Sequence, residues 1–480
     1  MKNNILSFSL SALFCFLFVS CENKKEIAWV VSTPEISWQE QAVKNIKWEK
    51  GDAETVVYPD KTLQTIDGFG TCFNELGWTS LSLLPDEDRL AIMNELFAPG
   101  LGANFTICRM PVGANDFSRN WYSYNETEGD FEMNDFSVSN DYETLIPFIK
   151  EAQKYNPSLR VWASPWSPPS WMKYNKHYAC AVSGNRLEEK YRNDLTPEHQ
   201  GAEGTDMFIQ EDKYFKAYSL YFKRFVEAYK KEGINIFMVM PQNEFNSCQN
   251  FPSCTWTAAG INKFVGEYLG PEMKSIGVEL MFGTVERANT LLTDTVLKDR
   301  LSRQYIKGVG FQWAGKGAVG KIHADYPDMK IYQSEQECGN GKNDWDYCCY
   351  AWSLMKHYLS NGTNVYTYWN TSLEEGGISR WGWRQNSLVT VNPVTKTYKY
   401  NYEYYLMKHF SHYILPGAKR LDITGEADDI QAFKNEDNSL VIVTHNPKKE
   451  DVVRRIKIGE DVLSITLKPE SFNTVVVNLS

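Results

Sequence analysis

The chain has 480 residues, too many for one ordinary core, so one large domain plus a smaller one is the expected organisation. Its net charge of −10, with no block of basic residues, excludes a nucleic-acid or polybasic membrane-binding role. Fifteen tryptophans and 27 tyrosines supply many flat apolar faces, which pack in cores and also stack on sugar rings.

Lys2 followed by the apolar run from Ile5 to Val19 reads as an export signal, too short to span a bilayer. Phe18-Val19-Ser20-Cys21 resembles a bacterial lipoprotein cleavage box, although Phe18 replaces the usual aliphatic residue. That resemblance implies an exported chain tethered to a membrane by a lipid on Cys21, with residues 22–26 starting the tether. Eight cysteines remain beyond Cys15 and Cys21. Cys248 and Cys254 are close enough in sequence to close a loop, and at least one of the adjacent Cys348 and Cys349 is expected to stay a buried thiol. No Cys-x-x-Cys or His-x-x-x-His pair suggests zinc.

Short strand-like runs come first: Ile27–Val31 and Glu54–Tyr58. Similar runs fill the far end, at Leu440–Thr444, Arg454–Ile458, Ser464–Leu467 and Thr474–Val477, separated by turn residues. The two ends are expected to build one β-sandwich. Between them, eight apolar strand candidates alternate with helical patterns: Thr65–Gly70, Asn104–Met110, Arg160–Ser164, Ile234–Met240, Val278–Gly283, Gly308–Trp313, Lys330–Ser334 and Asn364–Trp369. Helices are expected over Asp86–Phe97, Asp141–Lys154 and Lys213–Lys231, the last with Tyr218, Phe222, Phe225, Val226 and Tyr229 at helical spacing. Eight βα units in series predict an α/β fold, a (β/α)8 TIM barrel. The expected boundaries are 1–21 for the signal, 22–63 for the tether and first sandwich strands, 64–415 for the barrel and 416–480 for the rest of the sandwich.

In such a barrel the chemistry sits where strands end. The run Ile234–Met240 stops at Gln242-Asn243-Glu244, and Lys330–Ser334 runs into Glu335. Two carboxyl groups at strand exits suit glycoside hydrolysis, which needs a proton for the leaving oxygen and a negative charge facing the anomeric carbon. Glu244 lies among Met240, Pro241 and Phe245, and desolvation raises a carboxyl pKa, so it suits the acid. Glu335 suits the nucleophile, and Asn243 a donor to the sugar 2-hydroxyl. Retention of configuration requires the two carboxyl groups roughly 5–5.5 Å apart. Side chains supply both proton and charge, so no metal or organic cofactor is called for. The segment Gly315-Lys316-Gly317-Ala318-Val319-Gly320 imitates a dinucleotide fingerprint, but it comes too late for two mononucleotide halves and reads as a glycine-rich loop at the barrel mouth.

Several stretches together resemble glycoside hydrolase family 30, which includes lysosomal glucosylceramidase and microbial β-1,6-glucanases. They are Asp67-Gly68-Phe69-Gly70, Arg109-Met110-Pro111, Asp116-Phe117-Ser118, Ala163 to Trp171, Asn243-Glu244, Ser334-Glu335 and Tyr368-Trp369-Asn370. The resemblance implies Glu244 as acid/base and Glu335 as nucleophile, with a carbohydrate as substrate. It implies substrate-binding roles for Trp166, Asn243, Trp369 and Asn386, for Glu75 at the place of a sugar-binding aspartate, and for Arg109 beneath the catalytic pair. Gln312-Trp313 stands where glucosylceramidase has His-Trp, a form closer to the β-1,6-glucanase branch. The expected activity is therefore retaining hydrolysis of a β-glucan, with β-1,6 as the leading linkage. The alternatives are an exo-acting, glucosylceramidase-like β-glucosidase and a non-catalytic glycan-binding lipoprotein. Glu337 is the second candidate for nucleophile, and Trp381 and Trp383 are candidate sugar platforms.

Overall fold

The computed structural model describes residues 27–478. The export signal, Cys21 and the lipoprotein box lie outside the described residues.

Eight parallel strands close a barrel: β1 (Gly68–Cys72), β2 (Ile107–Val112), β3 (Arg160–Pro165), β4 (Ile236–Val239), β5 (Glu279–Val285), β6 (Ile306–Gln312), β7 (Lys330–Glu335) and β8 (Val365–Asn370). Consecutive strands are neighbours, and β8 pairs with β1 to close the ring. The eight expected strand positions and the closed (β/α)8 barrel are thus present. All of β2, β8 and nearly all of β3 and β7 are buried, which explains why they read as continuous rather than alternating apolar runs. Ile107, Trp162, Met238, Met281, Tyr332 and Val365 form an inner cluster. Gly310 on β6 makes room for it, because a Cβ there would meet Met240 Sδ at 2.5 Å.

The expected helix from Asp86 to Phe97 forms with those bounds, and Asp212–Lys231 begins one residue before the expected start. The expected Asp141–Lys154 helix begins only at Leu145. The reason is chemical: the Asp141 carboxylate accepts hydrogen bonds from Tyr122 (2.7 Å), Tyr124 (2.6 Å) and Tyr229 (2.5 Å), and the chain around it makes a 3₁₀ turn.

Both chain ends build the second domain. Ile27–Ser32 pairs with Ser471–Asn478 in a ten-stranded hydrogen-bonded ladder. The ladder wraps a core that includes Trp29, Val57, Ile442, Ile456, Ile465 and Val475. The helix Tyr402–Ser411 joins it to the barrel. On that helix His409 lies within hydrogen-bond distance of Ser32 Oγ (2.9 Å) and Thr474 Oγ1 (2.8 Å), while Phe410 packs against Phe69 of β1.

The eight cysteines among the described residues are free thiols. The loop closure allowed for Cys248 and Cys254 is not formed; Cys248 Sγ instead donates to the Cys180 carbonyl at 3.0 Å.

Trp29 is buried in the sandwich and donates Nε1–H to Asn473 Oδ1 at 3.1 Å. Trp29→Ala is expected to cost about 3–5 kcal/mol in urea unfolding. A loss below about 1 kcal/mol would show that the N-terminal strand adds nothing to the second domain.

Candidate active site

The carboxyl ends of the barrel strands surround a cavity of about 260 Å³. The residues named from sequence divide into three groups around it. Trp166, Asn243, Glu244, Trp313 and Glu335 line the cavity. Arg109, Gln312 and Trp369 lie buried beneath it. Glu75 and Asn386 are elsewhere.

Arg109 on β2 is fully buried and organises the floor. It donates to Ser164 Oγ of β3 (2.9 Å), Asn243 Oδ1 after β4 (2.7 Å), Gln312 Oε1 of β6 (3.3 Å) and Glu335 Oε2 of β7 (2.9 Å). Its guanidinium carbon lies 5.2, 4.4 and 5.4 Å from the ring centroids of Trp162, Trp166 and Trp369. Trp166 and Trp369 stack at 5.1 Å, so Trp369 supports the cavity wall from behind.

The two strand-exit glutamates sit in different surroundings. Glu335 Oε1 accepts from Trp313 Nε1–H at 3.1 Å, and its Oε2 is paired with Arg109. Among the described residues, Glu244 has one hydrogen bond to its carboxyl, from Gln312 Nε2 at 3.1 Å, and no cation bonded to it. Burial pushes the Glu244 carboxyl well above the usual range, and the charges of Glu335 and Glu286 push it further. Burial also raises Glu335, but the Arg109 charge opposes it, with help from the Trp313 and Gln312 hydrogen bonds. Both Glu244 and Trp313 adopt φ of +46°, a left-handed conformation that costs a non-glycine residue energy and collects at functional sites.

Asn243 Oδ1 is saturated by Arg109, Thr284 Oγ1 and Gln312 Nε2. None of these bonds uses its Nδ2, and Asn243 lines the cavity. Gln312 bridges the pair: its Nε2 reaches Glu244 while its Oε1 accepts from Arg109 and from Ser334 Oγ.

Two expected substrate-binding residues lie off the cavity lining. Glu75 is 1% exposed and does not line the cavity; its Oε1 accepts from Arg119, Asn140 and Thr144, and its Oε2 from the Arg119 backbone N–H. Both oxygens are spent on anchoring the loop after β2. Asn386 donates to Glu403 at 2.7 Å and accepts from the Gly341 and Asn343 N–H groups, so it braces loops, and Gln385 beside it lines the cavity. Glu337, the second candidate nucleophile, is held by Lys316 (2.7 Å) and Tyr350 (2.8 Å) outside the cavity. Trp381 is buried against Tyr178, whereas Trp383 is 43% exposed and lines the cavity.

Asp116, Glu286, Gln249 and Phe251 also line the cavity and were not singled out from sequence as binding residues. Asp116 lies in one of the stretches that resemble the family, Asp116-Phe117-Ser118. Glu286 follows directly on Val285, the last residue of β5, so the barrel's strand-end rule could have found it. Burial, then the Glu335 charge, holds the Asp116 carboxyl well above its ordinary range.

The Glycosyl hydrolase family 30 TIM-barrel domain matches residues 66–194 and 195–414, and the Glycosyl hydrolase family 30 beta sandwich domain matches residues 417–475. Putative glucosylceramidase 1 of Caenorhabditis elegans is 30% identical over 423 residues, covering 82% of this chain and 76% of that protein. Endo-1,6-beta-D-glucanase of Neurospora crassa is 25% identical over 413 residues, covering 81% and 80%. The crystal structure of SrfJ from Salmonella typhimurium shares the fold with a TM-score of 0.83 at 21% identity, covering 95% of this chain and all of that one.

Removing Arg109 strands a buried carboxylate. Arg109→Met is expected to lower stability by about 3–5 kcal/mol in urea unfolding, and a second change, Glu335→Leu, to recover much of that loss. Additive losses in the double variant would show that the pair is not coupled.

Proposed function

The chain belongs to glycosyl hydrolase family 30 and is an O-glycosyl hydrolase, and on that premise we propose that it cleaves β-glucan, β-1,6-linked, with retention of configuration. Glu244 is the acid/base and Glu335 the nucleophile. The observation that carries this reading is the unequal treatment of two carboxyl groups in one cavity: Glu335 is paired with Arg109, and Glu244 has no cation of its own.

In the first step Glu335 attacks the anomeric carbon while Glu244 gives its proton to the leaving oxygen. The C–O bond to the leaving group breaks as the ester bond to Glu335 forms. Water, deprotonated by Glu244, then attacks the same carbon and frees Glu335. Asn243 Nδ2 is placed to donate to the sugar 2-hydroxyl as charge builds in the transition state, and Trp166 forms the wall of the site.

Support for a glucan comes from Gln312-Trp313 and from the Neurospora endo-1,6-glucanase relative. The worm relative favours a second reading, an exo-acting, glucosylceramidase-like β-glucosidase. Incubation with linear β-1,6-glucan separates them by product: shortened oligomers appear for the first reading, and glucose alone or nothing for the second. The box at Phe18–Cys21 supports a further part of the proposal, an exported chain held at a membrane by a lipid on Cys21. Labelled fatty acid should enter the wild-type chain and not Cys21→Ala.

Glu335→Gln is expected to lower the rate by about three orders of magnitude while sparing substrate binding. Retention of more than about a few per cent of the rate would exclude Glu335 as nucleophile. Proton NMR should show the β anomer first; the α anomer first would mean inversion. The pH profile of kcat/KM should be bell-shaped. Its acidic limb follows protonation of Glu335. Its basic limb follows loss of the Glu244 proton and lies above the ordinary glutamate range, because burial favours the neutral acid.

A further inference from the structure

The proposed mechanism uses two carboxyl groups, and a third in the same cavity has no assigned work. Glu286 sits just past β5, next to the β4 exit that carries Glu244. It is 1% exposed. Its Oε1 accepts from the Asn246 N–H and from Ser247 Oγ, both at 3.0 Å. Its Oε2 is buried and has no hydrogen-bond partner. Arg287 offers little to that oxygen: its Nη1 is 3.9 Å from Oε1, and its Nη2 is tied to Glu203.

A buried oxygen without a partner is costly, because it has given up water and gained nothing in return. An unpartnered buried atom on a residue that lines a cavity is explained if a ligand completes it. The position says which part of the ligand. Glu286 is bonded to Asn246 and Ser247, two and three residues past Glu244, so it belongs to the acid's side of the cavity, and its charge is among those that raise Glu244. The acid protonates the leaving oxygen, so a group on its side meets what departs.

We propose that Glu286 recognises the leaving group: its free Oε2 binds a hydroxyl of the departing sugar residue, and the cleft thereby selects a sugar leaving group over one without hydroxyls. The proposal rests on Glu244 being the acid. It also accounts for the neighbourhood, since Gln249 and Arg287 line the same cavity and offer further polar contacts. A site built around a hydroxyl rejects an analogue that lacks one, because its own polar atom is then left unpaired.

The test compares Glu286→Gln and Glu286→Leu with wild type on two substrates. One is a β-1,6-linked glucose oligomer, and the other is 4-nitrophenyl β-glucoside, whose leaving group carries no hydroxyl. The ratio of kcat/KM, oligomer over nitrophenyl glucoside, is expected to fall about tenfold or more in Glu286→Leu. In Glu286→Gln the basic limb of the pH profile should also move to lower pH. There the loss of one negative charge lowers the Glu244 pKa, with Glu335 and Asp116 still raising it. Equal losses on both substrates, which leave the ratio unchanged, would overturn the assignment of Glu286 alone, whereas a wild type that accepts the nitrophenyl glucoside and not the oligomer would overturn it together with the β-1,6-glucan reading. A wild type inert toward both substrates would overturn the β-glucan reading as well.

Discussion

One buried guanidinium holds the mouth of this barrel together. Arg109 reaches groups carried by β3, β6, β7 and the loop after β4, and three tryptophan rings surround its charge. A cation taken fully out of water is costly unless every donor is used and a counter-charge is near. Here Ser164, Asn243, Gln312, the Ser334 carbonyl and Glu335 meet that demand. The same bonds fix the rotamers of Asn243, Gln312 and Glu335, so neutralising the arginine and positioning the site are one arrangement.

That arrangement also divides the acids. Asp116, Glu244, Glu286 and Glu335 line one cavity, and burial raises the carboxyl pKa of each, that of Glu286 to about 7. Four charges in so small a space would repel one another strongly. Arg109 selects which carboxyl keeps its charge, because it touches Glu335 and not Glu244. Gln312 then couples the two by donating to Glu244 with one end of its amide and accepting from Arg109 with the other.

The second domain contributes at a distance. Its N-terminal strand lies in the ladder beside the last strand of the chain, so both ends must be present before its core is complete. The helix Tyr402–Ser411 packs Phe410 on Phe69 of β1 and sets His409 between Ser32 and Thr474. Burial lowers the His409 pKa to about 3, so this joint stays uncharged at any ordinary pH and depends on hydrogen bonds and packing.

Sequence alone determined the barrel, the membership of both chain ends in one β domain, and the two strand-exit glutamates. These follow from local signals: eight apolar runs at βα spacing, and polar residues where the runs stop. The shared cavity of Glu244 and Glu335, and the rank of their acidities, needed the tertiary structure. So did the removal of Glu75 and Asn386 from the cavity, because their partners Arg119, Asn140, Gly341 and Glu403 are remote or unremarkable in the chain. Asp116 carries a local signal, a family-like stretch, and Glu286 another, a strand exit, but only packing turns both toward the cavity. A carboxyl group acquires its character from burial and from the charges around it, and those are properties of packing between distant segments, which no local pattern records.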